Sequence, residues 1–152
     1  MKQEIIEHIN QLEKEKGISI LLAVESGSRA WGCPSPDSDY DVRIIYKRSK
    51  ADYLEIDDKP DSINYFHGAL LDINGWDIKK TLKLIRKSNA TPFEWAQSPI
   101  KYKTNNEFHS TILKLCKEYF QPGKTVNHYK GIAKSSYLSN ELTGDRLSII
   151  HI

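Results

Sequence analysis

The sequence predicts an α+β domain: a small mixed sheet flanked by helices, with a helical C-terminal part. Three observations predict it. Two apolar runs of strand length, ISILLAV (18–24) and YDVRIIY (40–46), stand close together early in the chain, and a third, INYFHGALLDI (63–73), follows. Helical spacing opens the chain and dominates it after residue 76. Strands gathered ahead of a run of helices are the α+β pattern.

In order, residues 2–16 place Ile5, Ile6, Ile9 and Leu12 at helical spacing, and Gly17 is a C-terminal stop. ISILLAV is apolar throughout, so it reads as a buried strand, and it ends at Glu25-Ser26-Gly27-Ser28. Ser28 to Trp31 reads as the first turn of a helix. YDVRIIY is β-branched and aromatic, a second strand. KRSKADYLEIDDKPD (47–61) is polar and holds at most a short helix. Residues 63–73 form a third strand interrupted by Gly68, and Asn74-Gly75 is a turn signal. From Trp76 the pattern is helical, with Ile78, Leu82 and Ile85 on one face and Asp77 near the start, where a carboxylate complements the helix dipole. SNATP (88–92) ends that helix. A short helix over 93–97 and a longer one over 106–120 follow. After Gln121-Pro122-Gly123 a last helix runs over 124–140, with Val126, Tyr129, Ile132, Ala133 and Tyr137 near one side.

A chain of 152 residues, 39% of them hydrophobic, can bury the core of one domain. Lys+Arg number 22 against Asp+Glu 20, a net charge of +2 that is too balanced for broad nonspecific nucleic-acid binding but compatible with a local basic groove. The two cysteines, Cys33 and Cys116, lack CxxC spacing and read as free thiols. The N-terminal segment is charged and amphipathic, unlike a signal peptide. No apolar run approaches the ~18 residues a membrane span needs. A cytoplasmic protein without membrane contact is expected.

The chemistry concentrates in ESGSRAWGCPSPDSDYDVRIIY (25–46). Asp39 and Asp41 are two apart, so in a strand their side chains share a face and repel. A bound Mg²⁺, with Mn²⁺ as the alternative ion, would remove the repulsion and take hard oxygen ligands from both. Gly27 can adopt positive φ and let a ligand approach the backbone. Ser28 adds a hydroxyl, and turns of this kind cradle anions. A phosphate cradle beside a divalent-ion site suits a nucleoside triphosphate (NTP) with Mg²⁺. Asp72, in the third strand, is the candidate third carboxylate, and Asp77 is the alternative. Lys79, Lys80, Lys83, Arg86 and Lys87 form either a solvated helix face or a phosphate contact, for which Lys80 is preferred. Arg29 either touches the triphosphate or pairs with a surface acid.

Other motifs carry less. Gly123-Lys124-Thr125 resembles the end of a P-loop, but Glu118 stands where the upstream glycine is required and a helix precedes it. GSRAWG lacks the glycine spacing of a hydrolase elbow. The histidines at 8, 67, 109, 128 and 151 show no ligand spacing and read as ordinary surface or core residues. Trp31, Trp76 and Trp95 read as core anchors, Trp31 also lying beside the cradle.

Gly27-Ser28, ten residues, then Asp39-Tyr40-Asp41-Val42 fits the signature of the DNA polymerase β-like nucleotidyltransferases. The whole 25–46 stretch resembles the RlaP family, the RNA-repair-associated members. Residues 72–102 and 128–138 are similar to that family's second and third blocks. The resemblance implies the polymerase β-like fold and metal-dependent transfer of a nucleoside monophosphate from NTP to a hydroxyl on an RNA end, a protein or a small molecule. It implies Asp39, Asp41 and Asp72 as metal ligands and catalytic residues, and Gly27 and Ser28 as triphosphate-binding. On this reading residues 1–100 are the catalytic domain and 101–152 a helical extension, short of the family's because members continue past LSIIHI. Ser26 departs from the apolar residue usual in the broader superfamily. The alternative is an inactive nucleotide- or partner-binding module that retains the metal site. A third reading is a structural domain whose aspartates only cap turns.

Overall fold

The computed structural model describes residues 1–35, 38–68 and 70–143. Pro36 and Asp37 of the loop after the cradle, and the stretch 144–152 of the expected helical extension with His151, lie outside the described residues.

The first helix, α1 (Lys2–Lys16), buries Ile5, Ile9 and Leu12 and closes at Gly17, whose φ of 60° is the left-handed cap that glycine adopts without steric penalty. β1 (Ser19–Glu25) runs almost directly into a single helical turn, α2 (Gly27–Ala30). β2 (Tyr40–Lys47) and a short α3 (Lys50–Leu54) follow, the latter held by a reciprocal cap between Ser49 and Asp52. Then come β3 (Ser62–His67), β4 (Leu71–Asp77), α4 (Ile78–Arg86), α5 (Ala90–Gln97), β5 (Lys101–Thr104), α6 (Asn106–Tyr119) and α7 (Pro122–Thr143). Seven helices and five strands among the described residues make the mixed α/β architecture that the sequence predicts.

The strands form one sheet in the order β3-β4-β2-β1-β5. β2 and β4 are parallel, and the other neighbours are antiparallel. Strand alternation splits the core. Val42, Ile44 and Tyr46 pack with Ile5, Ile9 and Leu12 of α1, together with Leu71 and Ile73. Ile45 turns the other way, onto Leu22, Val24 and Trp95. α4, α5 and α6 close over that second face around Ile85, Phe93, Ala96, Ile112 and Cys116. Among the described residues no helix is long and apolar enough to cross a membrane.

The structure departs from the sequence reading in definite places. The expected third strand, 63–73, is a hairpin: Gly68, at φ 62°, turns the chain between β3 and β4. Asn74-Gly75 is no turn but the middle of β4. Glycine is required there because β2 passes close by, and an added Cβ would lie 2.5 Å from Ile44 Cγ1. Trp76 also belongs to β4, its ring 4.2 Å from that of Trp95. The helix begins only after Asp77, whose Oδ1 accepts the Lys79 N–H at 2.8 Å.

SNATP both ends one helix and starts the next. Ser88 takes a left-handed φ of 57°, and the N–H groups of Ser88 and Asn89 donate to the carbonyls of Ile85 and Leu84. Asn89 then caps α5, where Pro92 is tolerated in the first turn. β5 was not foreseen: it lies just past residue 100, the boundary drawn from the sequence, and pairs with β1. Of the α7 residues expected near one side of the helix, Val126, Tyr129 and Tyr137 are exposed. His8 and His67, read as ordinary residues, meet with ring centroids 4.1 Å apart.

Candidate functional site

Parallel pairing sets Asp41 of β2 directly opposite Asp72 of β4. Arg43 is two residues beyond Asp41 and so shares its face. Its guanidinium forks between the two acids, 2.9 Å from Asp41 Oδ1 and 2.9 Å from Asp72 Oδ2. The charge between Asp41 and Asp72 is thus bridged by a side chain of the protein itself. One oxygen is left over: among the described residues, buried Asp72 Oδ1 has no hydrogen-bond partner. Asp41 turns its other oxygen, Oδ2, toward Gly27.

Gly27 opens α2 with φ 63°, and a Cβ there would collide with Asp41 Oδ2. Only glycine lets the turn lie this close to the carboxylate. The turn is fastened to β2 by the Ser26 N–H, which donates to the Asp41 carbonyl at 2.8 Å. Glu25 supplies the second fastening and was missed in the sequence. Its side chain is buried. Oε1 accepts the Asp41 N–H at 2.9 Å and Oε2 accepts the Tyr102 hydroxyl. Burial pushes the Glu25 carboxyl above its ordinary pKa, although these two hydrogen bonds favour the charged form. An acid ending an otherwise apolar strand, immediately before a Ser-Gly turn, was the available signal.

The remaining predicted residues divide. Asp39 precedes β2 and is exposed. Among the described residues the three aspartates do not bring their oxygens within 4.8 Å of one another as a set. Ser28 lies in the turn, its hydroxyl donating to Ser38 Oγ at 3.2 Å. Arg29 braces the loop, donating to the Ser38 carbonyl at 2.7 Å and the Asp39 carbonyl at 3.0 Å, and stacks 3.9 Å over the Tyr40 ring. Lys80 is not brought to this end of the sheet. It pairs with Asp61 at 3.1 Å, beyond the far end of β4. The five residue steps from Asp72 to Asp77 alone span about 16 Å. Asp77 is buried as the cap of α4, and its Oδ2 accepts the Tyr53 hydroxyl at 2.8 Å, which leaves Asp72 as the acid facing Asp41.

A cleft of about 320 Å³ opens beside α2, lined by Ser26, Ala30, Trp31, Trp95, Thr125 and Tyr129 among others. That is within the volume range of small-molecule sites. The donor set fits a hard divalent ion: an unsatisfied buried carboxylate oxygen on Asp72, and a carboxylate oxygen on Asp41 that the guanidinium does not hold.

Residues 1–151 match the family described as RlaP, the RNA repair pathway DNA polymerase beta family. The chain is also 43% identical over 149 residues to the uncharacterized protein YcgL of Bacillus subtilis (strain 168), a match that covers 98% of this chain and 57% of that relative. The chain thus spans a little over half the length of the curated relative it matches. With the family matched over nearly every residue, the chain belongs to the RlaP family.

Proposed function

We propose that the chain carries a nucleotidyl-transfer site of the polymerase β type, moving a nucleoside monophosphate from NTP to a hydroxyl acceptor with Mg²⁺. The single observation that carries this reading is the Asp41–Asp72 juxtaposition beside a glycine turn, with one buried carboxylate oxygen left unpartnered among the described residues. Family membership supports it.

In this reading the N–H groups of the α2 turn face the triphosphate, and Gly27 gives the phosphates access to the backbone. Asp41 and Asp72 would hold the ion, and Asp39 is the candidate that swings in from the preceding loop when nucleotide is present. When bound, the divalent ion supplies charge neutralisation for the triphosphate and acidifies the acceptor hydroxyl. The acceptor oxygen forms a bond to the α-phosphorus, its proton passes to a carboxylate or to water, and pyrophosphate leaves. On this reading Trp31 and the cleft beside it would take the rest of the nucleotide.

The test is Mg²⁺-dependent incorporation of label from NTP carrying a radioactive α-phosphate, in the parent and in Asp41→Asn plus Asp72→Asn. A loss of at least about a hundredfold is expected. Equal incorporation in both proteins rejects the assignment. A second reading is favoured by Arg43, whose guanidinium already occupies the space between the acids: a module that binds nucleotide without turnover. In that case Mg²⁺-NTP raises Tm and no labelled product forms with any acceptor pool.

A further inference from the structure

We propose that Glu4, His8 and His67 form a binding site for a borderline divalent transition metal, Zn²⁺ by its donor set, separate from the acidic pair. One ligand atom from each of the three residues lies within 4.8 Å of the other two. Glu4 and His8 are four apart on α1 and therefore share one side of that helix. His67 is the last residue of β3. It pairs with Leu71, which packs in the α1-facing core, so His67 is on the α1 side of the sheet while Asp72, one residue further along β4, points to the other.

Two imidazoles and one carboxylate are the ligand types of three-ligand zinc sites, which keep a further position for water or a ligand. Mg²⁺ prefers an all-oxygen shell, so this set discriminates against the ion that suits Asp41 and Asp72. Tetrahedral ligands at zinc bond lengths sit about 3.4 Å apart. Closing from the present spacing requires only small side-chain rotations. Glu4 and His67 are exposed and His8 half-buried, so the movement falls to the two exposed side chains. Among the described residues Glu4 has one weak competitor, the Met1 ammonium at 3.9 Å.

Tyr65 provides an outer partner. Its hydroxyl is 3.3 Å from His8 Nδ1, a contact that fixes the ring and leaves Nε2 free to ligate. The two histidine rings are tilted by 43° rather than stacked flat, which lets both nitrogen edges turn toward a common point. A metal here ties the tip of the β3–β4 hairpin to α1.

The experiment is calorimetric titration of chelator-stripped Cys33→Ser protein with ZnCl₂ in excess MgCl₂, followed by melting curves. The Cys33→Ser background keeps the exposed thiol from contributing. The expected result is one saturable equivalent that raises Tm. His8→Ala and His67→Ala should each weaken binding at least tenfold, Glu4→Gln should weaken it less, and Tyr65→Phe should weaken it about tenfold through ring positioning. Asp41→Asn plus Asp72→Asn should leave Zn²⁺ binding unchanged, which makes this site's failure distinguishable from failure of the nucleotidyl-transfer reading. Absence of saturable binding, or equal affinity in His8→Ala plus His67→Ala, overturns the proposal.

Discussion

Asp41 and Asp72 face each other across the parallel β2–β4 pairing and hold the same guanidinium, each at 2.9 Å. Two carboxylates against one guanidinium leave a net negative charge: the guanidinium offsets part of the repulsion, and on the proposed reading a divalent ion would offset the rest. Replacing Arg43 by Met removes the internal cation. Metal-free stability should fall by about 2 kcal/mol. Added Mg²⁺ should restore more to the variant than it adds to the parent. Urea unfolding with chelator and with MgCl₂ measures both. An equal Mg²⁺ effect on the two proteins shows that Arg43 does not hold the ion's place.

Gly27 combines a left-handed φ with contact to Asp41. Gly27→Ala should lose about 1–2 kcal/mol from backbone conformation alone. It should also lose the Tm increase given by Mg²⁺-NTP, because the new methyl displaces the Asp41 carboxylate. A variant that melts lower but keeps its full nucleotide shift removes the turn from the binding site.

The Glu25 carboxyl sits above its ordinary value of 4.5 because it is buried. Folding therefore favours the protonated form. That contribution is complete below 4.5 and disappears as pH climbs through the raised value. Glu25→Gln keeps an acceptor for the Asp41 N–H and cannot ionise. The Tm difference between variant and parent should drift in the variant's favour from pH 4.5 toward neutrality. A flat difference over that range refutes the assignment.

Gly75 lies beside Ile44 of β2 in the parallel pairing, where a methyl would meet Ile44 Cγ1 at 2.5 Å and Cδ1 at 2.9 Å. Gly75→Ala should destabilise by about 1–3 kcal/mol through overpacking. With Ile44→Ala in the same chain the loss should be smaller than the sum of the two single losses. Strict additivity in chemical denaturation would mean that the two positions do not touch.

The sequence was most readable where burial and periodicity agree. α1, β1, β2 and α6 follow from apolar spacing, and Gly27 with Asp41 from a turn joined to a strand. It was least readable where one residue type serves two purposes. Gly68 makes a turn and Gly75 makes room for Ile44, yet both look like breaks in a pattern. Lys101 to Thr104 contains only one apolar residue, so pairing with β1 rather than composition makes it a strand. Arg43 was hidden inside a hydrophobic run, and its partnership with Asp72 depends on which strands become neighbours. His8 and His67 meet for the same reason. Long-range register decides these contacts, and no local window contains it.

The parallel alignment of β2 with β4 has a consequence for the order of events during folding. Parallel neighbours cannot be joined by a tight turn, so the chain must complete the excursion through α3 and β3 before the two strands meet. The GS turn can form early from adjacent residues. The charge that would attract a dication assembles only once that long detour has closed. A nascent or partly opened chain therefore lacks the acidic pair, and local unfolding of the β3–β4 hairpin would separate Asp41 from Asp72 without disturbing the turn.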